Sequence, residues 1–263
     1  MIPTIAPLRN VAALMALIER VESSPTGLER MAVFHGRSGE GKSMAVAAVA
    51  NEFDAYCVQV KSLWNASYFL KKTLTELGVK KPRGTNPALA DQAAERLMLS
   101  NRPLIIDDAQ YLLKRQMIDV VRDIYESCKS TIILVGEQEL PLHLTKHENV
   151  HNRQQAWVQA VPCNMADAEH LAAIYAKGVT LDEALMAALV EASDFQARRI
   201  SNNLASVREL ARSKGRNTAD LDLWGDRTFH TGEPPVTKRA GGVAVIAPPA
   251  PTAKVKPLRR RKA

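Results

Sequence analysis

The stretch Gly36-Arg37-Ser38-Gly39-Glu40-Gly41-Lys42-Ser43 has the spacing G-x-x-x-x-G-K-S. Glycines at this spacing let the backbone turn its N–H groups onto phosphate oxygens at a helix N-terminus. Lys42 then reaches the β and γ phosphates of a nucleotide, and the Ser43 hydroxyl can ligate Mg²⁺. A second group, Asp107-Asp108, ends the apolar run Leu104-Ile105-Ile106. Two carboxylates at the edge of a sheet beside a phosphate loop suit two tasks: the first holds Mg²⁺ through water and the second orients the attacking water. A polar pair, Glu137-Gln138, sits at the tip of Thr131-Ile132-Ile133-Leu134-Val135-Gly136 and either faces the γ-phosphate region or makes a simple turn. Arg198-Arg199, opening a later helix, is either a cation directed back at the nucleotide or a surface pair.

These groups need elements to hold them. Met31-Ala32-Val33-Phe34-His35 before the loop reads as a strand, and Met44 to Ala50 after it as an Ala-rich helix. Apolar residues at helical spacing from Val11 to Val21 predict an N-terminal helix ending near Ser23-Ser24-Pro25. Further on come a strand at Ala55 to Val60, a helix from Tyr68 to Leu77, a helix over 88–99, and the strand that carries Asp107-Asp108. The pattern continues with a helix from about Leu113 to Cys128, the strand ending at Gly136, a short helix near Leu140 to Leu144 and a fifth strand from Ala156 to Val161. Buried strands alternating with helices argue for a parallel sheet covered on both faces. From Ala166 to Ser213 the periodicity is wholly helical, in three segments: Ala168 to Ala176, Leu181 to Ala192 and Gln196 to Arg212. After Gly215 it is lost. The expected organisation is an N-terminal helical segment at 1–26, an αβα phosphate-loop domain at 27–164, a small helical lid at 165–217 and a mostly disordered basic tail at 218–263.

Charge is unevenly placed. Residues 232–263 hold eight basic residues against Glu233, which accounts for the whole formal charge of +7 and leaves 27 basic and 27 acidic residues in the rest. A nucleic-acid groove must therefore come from local clustering, not from the overall pI. Lys80-Lys81-Pro82-Arg83-Gly84 is one such basic turn, which serves equally as a solvated loop. Cys57, Cys128 and Cys163 are odd in number and lack metal-ligand spacing, so reduced, mostly buried thiols are expected. No apolar run approaches membrane-spanning length and no export signal opens the chain, which makes the cytoplasm the expected compartment.

Taken together, these motifs resemble those of AAA+ ATPases over roughly residues 8–213. More narrowly, the chain resembles the ATPase regulators of Mu-like and related DNA transposons, on Asp107 to Leu112, Val121 to Glu126, and Ile133 to Gly136 with Leu140. The resemblance implies a five-stranded parallel P-loop domain with ATP and Mg²⁺ as cofactors. Gly36 to Ser43 is then the Walker A loop and Asp107 the Walker B magnesium residue, with Glu137 or Gln138 at the sensor 1 position and Arg198 at sensor 2. Arg153 lies where the family's arginine finger reaches into a neighbouring subunit. The resemblance also implies self-assembly into a ring or helical filament on duplex DNA, contacts to phosphates without base reading, and recruitment of a transposase. The pool for backbone contacts is Lys61, Lys71, Lys72, Lys80, Lys81, Lys114 and Arg115. The basic tail would serve as a DNA tether, a docking peptide for the transposase or a solubilising end.

One departure bears on chemistry. The family usually follows the first Walker B acid with Glu, whereas Asp108 is one methylene shorter and must reach further to polarise water, which predicts slow hydrolysis. Three rivals share parts of the pattern. A helicase-loader or replication-initiation ATPase uses nearly all the same motifs, a nucleotide-gated scaffold with negligible turnover fits Asp108, and a small-molecule kinase fits the phosphate loop alone.

Overall fold

The computed structural model describes residues 6–232, with Arg115 and Gln116 described by backbone alone. The tail from 233 onward, with all its basic residues, lies outside the described residues, and so does the side chain of Arg115.

Five strands form one parallel sheet: β1 (Met31–Gly36), β2 (Tyr56–Gln59), β3 (Leu104–Asp107), β4 (Ile132–Glu137) and β5 (Gln154–Gln159), in the order β2-β3-β4-β1-β5. Period-2 alternation splits the sheet residues between two faces. Ala32, Phe34, Ile105, Ile133 and Val135 join one core and Met31, Val33, Leu104, Ile106, Ile132 and Leu134 the other. The first core is covered by α1 (Arg9–Glu22) and α2 (Lys42–Glu52), the second by α3 (Ala66–Glu76), α4 (Asn86–Ser100) and α5 (Ile118–Cys128). In α1 the buried positions Val11, Leu14, Leu17, Ile18 and Val21 repeat at 3.6-residue spacing, so one stripe packs and the other face stays wet. Burial on both faces is why the strands read as near-continuous apolar runs.

Because β1 pairs with β4 on one side and β5 on the other, the chain crosses over β1 between its fourth and fifth strands. Ligands of open α/β sheets bind at such a switch point, outside the carboxyl ends of the strands. The ends of β1, β3 and β4 carry the phosphate loop, Asp107 and Glu137.

After the short α6 (Leu140–Leu144) and α7 (Glu148–His151), the chain builds a helical unit from α8 (Met165–Tyr175), α9 (Glu183–Ala192) and α10 (Ala197–Ser213). Asn164 and Asp167 form a reciprocal capping box that starts α8. Several boundaries differ from the sequence reading. The helix expected from Leu113 opens as a 3-10 segment, Ala109–Gln116, and only then becomes α5. The fifth strand begins two residues early because Gln154, without an apolar side chain, pairs with Met31 at the sheet edge, ahead of a register shift that skips Gln155. Regular structure also continues beyond Gly215: β6 (Thr180–Leu181) pairs with β7 (Thr218–Ala219), and α11 (Leu221–Trp224) buries Trp224 against Phe229, ring centroids 4.7 Å apart. Elements of two and four residues carry no periodicity, so the helical spacing read from the sequence ends before them. The described chain to Thr231 is one compact unit.

Candidate functional site

The phosphate loop is shaped by its glycines and by what lies beneath it. Gly36 must lack a side chain, since a Cβ there would stand 2.4 Å from Glu40 Oε2 and 2.7 Å from the Ala160 methyl. Gly41 caps α2 with φ 84°, a left-handed conformation that costs glycine nothing. Glu40 is 4 % exposed, its Oε2 has no hydrogen-bond partner among the described residues, and burial raises its pKa above the ordinary carboxylate value. Its carbonyl accepts from Asn10 Nδ2 at 2.8 Å. The Asn10 side chain also donates to Val161 O and accepts from Val161 N, both at 2.9 Å, so the start of α1 ties the loop to the exit of β5.

Lys42 Nζ crosses the loop and donates to the carbonyls of Gly36 and Arg37, both at 2.7 Å. Burial lowers its pKa, opposed by the nearby carboxylates of Glu40, Asp107, Glu137 and Asp108. Ser43 Oγ donates to Asp107 Oδ2 at 2.9 Å. Asp107 is buried, which raises its pKa, while the bonds from Ser43 and from the Asp108 N–H act the other way. A hydroxyl and a buried carboxylate converging at the end of a phosphate loop form an oxygen donor set that suits Mg²⁺. Asp108 follows in a left-handed conformation, φ 55°, and both of its oxygens are held: Gln59 Nε2 donates to Oδ2 at 2.9 Å and Gln110 Nε2 to Oδ1 at 3.2 Å.

Lys42, Ser43, Asp107, Asp108, Glu137 and Arg198 line one cleft of about 280 Å³. Of the pair at the tip of β4, Glu137 lines this cleft and Gln138 does not; Gln138 instead meets His35 through its backbone. Arg198 arrives from the first turn of α10, where its N–H donates to Gly39 O at 3.2 Å. The helical unit meets the loop a second time, through an ion pair of Arg37 with Asp194 at 2.9 Å. Arg199 only approaches Asp194, at 4.0 Å.

Arg153 lies outside the cleft. It is ion-paired with Glu126 on α5 and donates to Asn149 O. The lysines of the expected DNA pool are all exposed and none lines the cleft: Lys61 follows β2, Lys71 and Lys72 lie on α3, Lys80 and Lys81 precede α4, and Lys114 stands 5.1 Å over the Tyr111 ring. Burial pushes the Cys57 and Cys163 thiols up to about 11 and about 12, which keeps them protonated and inert near neutral pH.

Residues that the motifs did not reveal complete the cleft. Met44, Tyr175, Ser201 and Asn202 line it, the last three supplied by α8 and α10. Only folding brings them there. Gln110 was within reach of sequence reasoning, as a polar residue two positions after the acidic pair.

Residues 26–144 match the family model described as an AAA domain. Among solved structures, the chain is similar to Cdc6p from Pyrobaculum aerophilum, with TM-score 0.59 and 16 % identity, covering 83 % of this chain and 65 % of that one. It is similar to ORC2 from Aeropyrum pernix in its ADPNP–ADP complexes, with TM-score 0.63 and 17 % identity, covering 85 % and 68 %. ORC1 from the same organism, in complex with DNA, gives 0.59 and 14 %, covering 84 % and 66 %. The chain thus spans about two thirds of the length of these structures. No curated protein matches the sequence. The likeness is one of fold: a five-stranded α/β P-loop fold of the AAA+ type.

Proposed function

We propose that this chain is an ATP-hydrolysing switch that assembles with copies of itself on duplex DNA and recruits or activates a transposase, with hydrolysis driving disassembly. The observation that carries the nucleotide half is the convergence of Ser43 and Asp107, 2.9 Å apart, beside Lys42 in a cleft shared with Asp108 and Arg198. In this reading residues 27–164 are the ATPase core and 165–217 its lid. The phosphate loop cradles the phosphates, and Ser43 with Asp107 holds Mg²⁺, which when bound neutralises charge on the transferring phosphoryl group. Asp108 orients the attacking water, Glu137 faces the γ-phosphate, Arg198 clamps from the lid, and Arg153 acts on the site of an adjacent subunit. That last role requires Arg153 to leave Glu126, an exchange of one solvated partner for another at small cost.

The DNA half is supported by the exposed lysines of β2–α4 and by the likeness to ORC1, a protein whose structure was determined in complex with DNA. The transposase rests on the resemblance in residues 107–112, 121–126 and 133–136 with Leu140 alone. Among the described residues no helix is long and apolar enough to cross a membrane; the proposal places the activity in the cytoplasm. Electron microscopy with ATP, with and without duplex DNA, tests the assembly: rings or filaments forming on DNA support it, and single particles under all conditions refute it. DNA affinity should fall steeply with salt and hardly vary with sequence, since phosphate contacts release counterions and read no bases.

A second reading, a helicase-loader or replication-initiation ATPase, is favoured by the likeness to Cdc6p and ORC2. Stimulation of strand transfer by a purified transposase separates it from stimulation of helicase loading.

A further inference from the structure

We propose that Gln110 is the positioning residue that sets the Asp108 carboxylate for hydrolysis, an inference that rests on the ATPase reading above. The backbone ladder between β3 and β4 ends at the pair Ile106 and Leu134. Asp107, Asp108 and Glu137, which line the cleft, all lie beyond that last rung. One side chain closes the gap. Gln110 Nε2 donates to Asp108 Oδ1 at 3.2 Å while its Oε1 accepts from the Glu137 N–H at 3.3 Å, so a single amide joins the acid that follows β3 to the tip of β4.

Three further features fit this role. Gly136 leaves the room it needs, because a Cβ there would lie 2.9 Å from Gln110 Oε1 and 3.5 Å from Gln110 N. Asp108 has its main chain fixed in a left-handed conformation at the head of the 3-10 segment, so its side-chain torsions are the freedom left to restrain. Gln59 restrains them from one side with a 2.9 Å bond to Oδ2, but its amide has no second hydrogen bond among the described residues. Of the two amides that hold Asp108, Gln110 is the one anchored at both ends among the described residues. It therefore transmits the position of β4, and with it of Glu137, to the carboxylate that must aim a water. Catalytic groups displaced by about 1 Å lose on the order of 10²-fold in rate.

The test compares wild type with Gln110→Met, which keeps the length and loses both bonds, and Gln110→Glu, which keeps the acceptor for the Glu137 N–H but sets a like charge against Asp108. Fluorescent-nucleotide titration gives ATP affinity, and single-turnover assays give the hydrolysis rate. Both variants should bind ATP within about twofold of wild type and hydrolyse it about 10²-fold more slowly, a loss confined to the chemical step. Adding Gln110→Met to Asp108→Asn should cost nothing further, because the brace acts through Asp108. Hydrolysis within about threefold of wild type, or a fall in affinity parallel to the fall in rate, overturns the proposal, and Gln110→Glu decides the matter if Gln110→Met does not fold. A wild type that binds ATP without turning it over overturns the ATPase reading itself and the brace with it, whereas wild-type turnover preserved in both variants overturns the brace alone.

Discussion

Asn10 joins three pieces of the molecule through one buried amide, and its removal has a calculable effect. The side chain belongs to a residue only 3 % exposed and makes three hydrogen bonds of 2.8 to 2.9 Å, to Glu40 O, Val161 O and Val161 N. Asn10→Ala deletes all three and leaves their partners to find water or stay unpaired. At about 1 kcal/mol net per bond the loss is about 3 kcal/mol. For a domain of this size each kcal/mol shifts Tm by roughly 2–4 °C, so melting followed by circular dichroism should fall by about 6–12 °C. The Glu40 carbonyl is part of the phosphate loop, so the same variant should bind ATP more weakly even well below its own Tm. Asn10→Asp should be worse still. It keeps the acceptor for Val161 N–H but turns a charge toward two carbonyl oxygens. A melting point within about 2 °C of wild type for Asn10→Ala, less than 1 kcal/mol by the same scale, would refute the claim that this amide holds the loop to the core.

Two other outcomes follow from the site. Burial places the folded-state pKa of Glu40 above its unfolded value of 4.5, so the ionised carboxylate penalises the fold at pH above the folded pKa, and the penalty vanishes as pH drops below 4.5. Glu40→Gln should therefore melt above wild type at pH 8 and level with it near pH 4; an advantage that is the same at both pH values would show that charge is not the cause. Arg153→Ala gives up an exposed ion pair with Glu126, worth at most about 1 kcal/mol, so the isolated subunit should keep its fold and its ATP affinity. Hydrolysis by the DNA-bound assembly should still drop by about 10³-fold if Arg153 completes a neighbour's site, and unchanged turnover there would remove it from that role.

Contiguous chemistry was legible in the chain. The phosphate loop needs its residues in consecutive positions, and Asp107-Asp108 stands out because it ends a run buried on both faces. The strands could be read for the same reason, whereas their order could not, since β4 slots between β1 and β3 through pairings that no spacing encodes. Distal partners were hidden. Tyr175, Ser201 and Asn202 reach the cleft only because α8 and α10 fold back to the phosphate loop, and Gln59 meets Asp108 only because β2 lies beside β3. Trp224 reads in sequence as part of an irregular end, yet stacking on Phe229 gives it a buried place that a four-residue helix could not announce.

The ion pair of Arg37 with Asp194 and the bond from Arg198 N–H to Gly39 O give the phosphate loop and the helical unit of α8 to α10 two points in common. Such sharing is thermodynamically reciprocal. If a bound nucleotide changes the affinity of α8 to α10 for some partner, that partner must change nucleotide affinity by the same factor. Under that condition the helical unit would be a handle on the loop: a partner that never approaches the phosphates would tighten or loosen the hold on them, and the size of its effect would be read backwards from what the nucleotide does to that partner's affinity.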